Sequence, residues 1–303
     1  MRRILSIGVA VVFALISGML TFSAGVSASE GENDNVIDEK FGQPIVVYGE
    51  SLTEEQKEQV RRLLDVDDPS MVQEHIVTAE DLVNYINGDP NSNMYSSAKI
   101  IRKEDGHGLE VKIMNPESIT QVTKDMYANA LLTAGIENAV VEVASPLKVT
   151  GHSALTGIYK AYHVEGESLN QDRMEVANEE LSLATKLAEK EGMDQEKVSE
   201  LLTQIKQAIS EQNPASKEEV EQIIQEQLDK LNLELSPEDR ELLINLFEKM
   251  RTINIDFDSV RSQLETLAND IRGRIEDVTG DTGFFQAIVN FFKKIIEWIA
   301  SLF

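Results

Sequence analysis

The segment from residue 149 to residue 161 has the residue types best suited to binding a ligand. Two glycines and several hydroxyl side chains stand at or before a predicted helix. Backbone N–H groups at a helix N-terminus point at a ligand, and glycine allows close approach to the backbone. The candidate binding residues are Thr150, Gly151, Ser153, Tyr159 and Lys160. The order G-x-x-x-x-G-K-[ST] is absent, and glycine packing with Ser/Thr capping explains the segment equally well.

The histidines and cysteines do not predict a metal centre. The four histidines are His75, His107, His152 and His163. They do not form H-E-x-x-H or another zinc-binding spacing, and His107 and His163 are predicted to lie at the surface. The chain has no cysteine, which excludes disulfides and thiolate ligands. We predict no metal and no cofactor.

Two further polar clusters also lack a catalytic or cation-binding pattern. Asp65, Asp67 and Asp68 follow a predicted helix but lack the EF-hand spacing, so an acidic turn is the better interpretation. Ser96 and Ser97 lack the G-x-S-x-G pattern of a nucleophile elbow. The sequence therefore favours a protein that is not an enzyme.

The first 28 residues have the three-part pattern of a secretory signal peptide. Arg2 and Arg3 form a positive start, an apolar run follows over residues 4–20, and V-S-A at positions 26–28 supplies small residues for cleavage. This pattern predicts cleavage after Ala28 and a location outside the cytoplasm. An uncleaved membrane anchor is the alternative, although the apolar run is short for a span.

The charge balance excludes one class of partner. The chain has 28 Lys and Arg residues against 53 Asp and Glu, for a formal net charge of −25. Such a chain repels phosphate backbones, so we predict that it does not bind nucleic acid. An exported chain without cysteine is typical of Gram-positive bacteria.

After an acidic, aperiodic leader over residues 29–42, residues 43–165 predict an α/β domain with a mixed sheet. Predicted strands and helices follow one another in the order β-α-β-α-β-β-α-β-α. The third and fourth strands are predicted to form a hairpin through the glycine-containing loop 104–108. Asn115 and Pro116 are predicted to begin the helix that ends at Gly135.

Residues 166–279 predict only helices. Apolar residues recur at helical spacing, opposite faces are charged, and Ser216 and Ser236 match N-cap patterns. The predicted helices span about 168–191, 194–212, 216–232, 237–250 and 257–277. The pattern is typical of a helical bundle or a partly coiled-coil region, separable from the α/β domain.

Three stretches of the chain together resemble a known family. They are N-S-N-M-Y-S-S-A (91–98), I-T-Q-V-T-K-D-M-Y-A-N-A-L-L-T-A-G-I (119–136) and V-A-S-P-L-K-V-T-G-H-S-A-L-T-G-I-Y-K-A (143–161). The chain resembles the YpuA-like family of predicted secreted proteins of Gram-positive, spore-forming bacteria. The resemblance implies export, and it implies no catalytic residue, because no function is assigned to that family.

The last segment, residues 284–303, predicts an amphipathic helix after a glycine-containing hinge at 280–283. Lys293, Lys294 and Glu297 fall mid-segment and disfavour a membrane span. The helix is predicted either to lie in a membrane interface or to dock on a partner protein or its own chain. The predicted contact residues are Phe284, Phe285, Ile288, Phe291, Phe292, Ile295, Trp298, Ile299 and Leu302.

These patterns favour an exported, non-enzymatic protein of the cell envelope that acts as a binding or structural module. The alternative is a secreted enzyme or small-ligand-binding protein with a pocket around residues 149–161. A deep cleft with converging polar groups at that segment would favour the alternative, and a filled core would favour the envelope protein.

Overall fold

The computed structural model describes residues 40–190 and 193–279, with side chains up to residue 275. The predicted signal peptide, most of the leader and the predicted helix 284–303 lie outside this part. In the described ranges, no helix is both long enough and apolar enough to cross a bilayer.

Five strands form one mixed sheet in the order β2-β1-β3-β5-β4. The strands are β1 (Ile45–Gly49), β2 (Gln73–Val77), β3 (Ser97–Arg102), β4 (Leu109–Ile113) and β5 (Ala139–Ala144). β3 is antiparallel to both neighbours, whereas β1 pairs in parallel with β2 and β4 with β5. The predicted mixed-sheet α/β fold is confirmed.

The predicted hairpin between β3 and β4 is wrong, because β5 lies between these two strands. β5 is buried at every residue, as a strand covered on both faces is, whereas β4 at the edge of the sheet alternates in exposure because one of its faces is partly open to solvent. The connecting loop crosses the end of β5. There the Asn138 side chain accepts hydrogen bonds from the backbone N–H groups of Gly106 and Gly108, each at 3.0 Å.

Nine α-helices accompany the sheet in the described part of the chain. They are α1 (Glu54–Leu63), α2 (Ala79–Ile86), α3 (Lys124–Ala134), α4 (Ser153–Val164), α5 (Gln171–Ala188), α6 (Gln195–Gln212), α7 (Lys217–Leu231), α8 (Pro237–Thr252) and α9 (Arg261–Thr279). The predicted caps are present, since Ser216 accepts from the N–H of Glu219 and Ser236 accepts from the N–H of Asp239.

The predicted helix start at Asn115 is wrong. Residues Pro116–Ser118 form only a 3₁₀ turn, and α3 begins eight residues after Pro116, with Thr123 as its N-cap. The Asn115 side chain instead donates to the carbonyl of Ser145 at 2.6 Å and accepts from the Ser145 N–H at 3.2 Å. This amide therefore ties the chain after β4 to the chain after β5.

The core does not stop where the strands end. Helix α1 packs on one face of the sheet, and α3 and α4 pack on the other. Helix α5 then packs on α2 and α3, and one continuous buried cluster extends from Ile45 in β1 to Leu264 in α9. Strands give way to helices near residue 165 as predicted, yet the two parts share one core.

A buried polar network joins α3 to α5 and α6. The Lys206 ammonium lies 2.5 Å from the Glu180 carboxylate, and both side chains are almost fully buried. Lys206 also donates to the Asn129 carbonyl at 2.8 Å, and Thr133 donates to Glu180 at 2.6 Å. The network thus places a buried charge pair at the junction of the α/β and helical parts.

Candidate ligand-binding site

A cavity of about 340 Å³ lies at one edge of the sheet. Strands β1, β2, β4 and β5 all run in one direction, so their carboxyl ends meet at this edge, where ligands bind in open α/β sheets. Helices α2, α4 and α5 and the loop before β3 form the walls. The lining residues are Leu82, Ser92, Asn93, Met94, Tyr95, Ser96, Val149, Thr150, His152, Ser153 and Asn178.

The loop before β3 is held against the end of β1 by close backbone packing. A Cβ atom on Gly49 would lie 2.2 Å from the carbonyl oxygen of Met94, so only glycine allows this approach. Ser51 forms two hydrogen bonds with the Met94 backbone. Its N–H donates to the Met94 carbonyl, and its Oγ accepts from the Met94 N–H, each at 3.0 Å. One wall of the cavity therefore has a defined backbone position.

The opposite wall is the start of α4, which depends on Gly151. This residue has a φ of +107°, and a Cβ atom there would lie 2.7 Å from Ile119 and 2.8 Å from the Tyr127 hydroxyl oxygen. The Tyr127 hydroxyl donates to the Gly151 carbonyl. The two walls are joined directly, because the Ser96 N–H donates to the Ser153 Oγ at 3.2 Å.

The lining combines apolar side chains with polar groups that are uncharged at neutral pH. It offers hydroxyls, amides and one imidazole, and among the described residues that line the cavity there is no Asp, Glu, Lys or Arg. Burial lowers the pKa of His152, so its imidazole is neutral near pH 7. The Ser96 Oγ is buried and has no hydrogen-bond partner within the described residues. An unpaired hydroxyl of this kind is costly unless a ligand or water satisfies it.

Two of the five predicted binding residues, Thr150 and Ser153, line this cavity. Gly151 shapes the backbone beneath it, as described above. Tyr159 is buried in the core, its hydroxyl lies 3.5 Å from the Met174 carbonyl oxygen, and burial raises its pKa well above the usual range. Lys160 forms an ion pair with Asp81 at 2.7 Å.

Val149 and His152 also line the cavity and lie in the predicted pocket segment 149–161, but the sequence does not assign the remaining lining residues to a site. Residues 92–96 belong to a stretch that carries the family resemblance, and that stretch could have identified them. Asn178 gave no such signal, because it is a single amide on a helix whose spacing is that of a core helix. Only the packing of α5 against α2 brings Asn178 to the cavity.

The remaining candidates fall elsewhere. His107 is exposed in the loop between β3 and β4, and His163 is exposed with its ring 5.8 Å from that of Tyr85, so both predicted surface positions are confirmed. Asp68 accepts a hydrogen bond from the Ser70 N–H and caps a 3₁₀ turn. Across the part of the chain that the structure describes, no group of three or more carboxylate or histidine side chains could hold a metal ion.

The fold and the cavity together define a class of protein. It is a mixed-sheet α/β protein extended by five helices, with a cavity of uncharged polar and apolar side chains where the extension meets the carboxyl edge of the sheet.

Comparison with known proteins places the chain in a family. Residues 48–267 match the model of the family described as "Protein of unknown function (DUF1002)", and the chain belongs to this family. It is 34% identical over 278 residues to "Uncharacterized protein YpuA" of Bacillus subtilis (strain 168), an alignment that covers 89% of this chain and 92% of the relative. The predicted membership of a YpuA-like family is confirmed. No solved structure matches the chain.

Proposed function

We propose that the protein is an exported, non-enzymatic binding protein of the cell envelope whose ligand occupies the cavity at the start of α4. The observation that supports this proposal is the convergence of four separate chain segments on one polar cavity. Two of these segments also carry the resemblance to the family. A cleft with converging polar groups is what a ligand-binding protein requires, whereas a purely structural module requires only a filled core.

The lining chemistry favours binding over catalysis. General acid–base chemistry commonly uses a carboxylate or a histidine oriented by a second group. The described lining has no carboxylate, and the His152 Nε2 lies 3.4 Å from the Thr185 Oγ1, a hydroxyl rather than a carboxylate. Hydroxyls and amides offer hydrogen bonds without supplying an activated nucleophile.

Blocking the mouth of the cavity should abolish ligand binding. Thr150 is exposed at the rim, so Thr150→Trp fills the opening without disturbing the core. Lys148→Trp is the matched control, because Lys148 is exposed nearby but does not line the cavity. Isothermal titration calorimetry with neutral monosaccharides, N-acetylated sugars, amino acids and dipeptides should find a ligand that binds wild type and Lys148→Trp but not Thr150→Trp. If no compound binds, or if both variants bind equally, the cavity is not the site.

Removing residues 284–303 should release the protein from the envelope. The proposed anchor is the apolar face of this segment, which would lie in the membrane interface with Trp298 and two lysines near the headgroups. The deletion should move the protein from the membrane fraction to the medium with an unchanged melting temperature. In both forms, N-terminal sequencing should begin at Ser29.

Trp298 offers a direct check, because it is the only tryptophan in the chain. Its fluorescence should shift to the blue when vesicles are added to the intact protein. If the emission is already blue-shifted in buffer and does not change when vesicles are added, and if deleting residues 284–303 lowers the melting temperature, the segment packs on protein instead.

A further inference from the structure

We infer that the ligand of the cavity is a neutral N-acetylated sugar whose acetamido carbonyl oxygen binds at the N-terminus of α4. This inference rests on the proposed function and specifies the chemistry of the same site. It is carried by three features of the cavity: a set of unused hydrogen-bond donors, a lining without charge, and an apolar wall beside polar groups.

The unused donors converge on a position for one acceptor oxygen. Within the described ranges, the backbone N–H groups of His152 and Ser153 have no acceptor at hydrogen-bonding distance. N–H groups in the first turn of a helix point out along the helix axis, and His152 and Ser153 line the cavity at that end. Helix α4 has 12 residues, long enough for its dipole to favour an acceptor there.

Ser96 supplies a second and independent donor. Its Oγ has no partner and is buried, with only 1% of the residue exposed. Ser96 directly precedes β3, so continuing the alternation of the strand by one residue puts it on the same face as Ala98 and Ile100, the face that α4 covers. Its backbone N–H reaches the Ser153 Oγ at 3.2 Å, which places this unpaired hydroxyl beside the first turn of α4.

The absence of charge in the lining selects a neutral acceptor over an anion. The closest lysine along α4, Lys160, is already paired with Asp81 at 2.7 Å. The chain has a formal net charge of −25, which repels anions at long range. Without a cation in the described lining, a bound phosphate or carboxylate would lack its counter-charge. A carbonyl oxygen accepts the same hydrogen bonds at a lower desolvation cost.

The remaining walls match the other parts of an acetamido sugar. Leu82, Met94 and Val149 supply apolar lining against which the acetyl methyl group can pack. The hydroxyls and amides of Ser92, Asn93, Thr150 and Asn178 can both donate to and accept from sugar hydroxyls. The cavity volume of about 340 Å³ falls at the lower end for ligand pockets, which suits one sugar ring.

The test compares sugars that differ in one group, using the full mature chain and isothermal titration calorimetry. N-acetyl-D-glucosamine should bind one to one. D-glucose, which lacks the acetamido group, and D-glucosamine, which has a charged amine instead, should each bind at least about tenfold more weakly, because the α4 donors then stay unpaired. The β-1,4-linked dimer of N-acetyl-D-glucosamine tests whether the site takes a free monosaccharide or the end of a glycan. Binding of the monosaccharide or of the dimer supports an N-acetylated sugar as the ligand.

A pair of neighbouring serines provides the variant and its control. Ser96→Ala removes the unpaired hydroxyl and should weaken N-acetyl-D-glucosamine binding about threefold to tenfold, with no loss of melting temperature. Ser97→Ala should leave the affinity unchanged, because Ser97 does not line the cavity and its Oγ already accepts from the Gly49 N–H.

The outcomes separate this inference from the proposed function. Equal affinity for D-glucose and N-acetyl-D-glucosamine, or unchanged affinity in Ser96→Ala, would overturn the placement of the acetamido group. If N-acetylated sugars fail while another compound binds wild type but not Thr150→Trp, the ligand class is wrong and the proposed site remains. If nothing binds, both proposals fail.

Discussion

Replacing Lys206 with methionine should lower the free energy of unfolding by about 3–5 kcal/mol, because the change leaves the Glu180 carboxylate buried without its counter-charge. Both partners are almost fully buried, with N–O separation of 2.5 Å, so water cannot take the place of the ammonium group. Urea denaturation followed by circular dichroism measures the loss. A midpoint shift with an unchanged slope would show that stability alone has changed.

Two control variants distinguish the buried pair from lysine replacement in general. Lys206→Met combined with Glu180→Gln should recover much of the loss, because glutamine is neutral and still accepts from the Thr133 hydroxyl. Lys217→Met removes an exposed ion pair with Glu241 and should cost no more than about 1 kcal/mol. A loss below about 1 kcal/mol in Lys206→Met would contradict the structural role assigned to this network.

Much of the fold follows from local sequence signals. The capping boxes at Thr53 and Thr78 fix the helix starts by bonds between residues three apart, so they can be recognised from sequence. Gly135 ends α3 in the left-handed conformation that glycine favours. Local rules of this kind explain why the order of strands and helices was predicted correctly.

Strand pairing was not predictable in the same way. A glycine-containing loop between two strands favours a hairpin, and nothing local to β3 or β4 indicates that β5 separates them. The apolar run of β5 indicates only a strand buried on both faces and does not identify the two strands that pair with it. Asn138, about 30 residues from the loop that it anchors, completes the arrangement through contacts that no local pattern reveals.

The sequence predicts only part of the candidate site, because the rest depends on contacts between distant segments. Residues at the start of α4 were recognisable because glycine and hydroxyl side chains before a helix have a local meaning. Asn178 and Leu82 reach the cavity only through the packing of α5 and α2 around it. The sequence does not show that the Lys160 ammonium is already paired, because its partner Asp81 lies 79 residues away.

A fragment covering residues 168–279 should fail to unfold cooperatively, although the sequence pattern predicts a separable helical unit. Helix α5 buries its apolar face on α2 and α3, so the fragment would expose side chains such as Leu181 and Ala177. Each large apolar side chain returned to water costs roughly 1.5–3 kcal/mol. Since the free energy of unfolding of a whole domain is only about 5–15 kcal/mol, losing several such contacts would cancel it.

Polar contacts between α3 and the later helices also predict that the 168–279 fragment does not unfold cooperatively. Arg173 of α5 donates to the carbonyls of Thr133 at 2.7 Å and Leu132 at 3.1 Å, both in the last turn of α3. Lys206 of α6 would lose its hydrogen bond to Asn129. Circular dichroism should show helix without a sharp thermal transition, and adding a 40–167 fragment should restore the transition. A cooperative transition in the 168–279 fragment alone, near the temperature of the intact protein, would show that the helices form an independent domain despite the shared core.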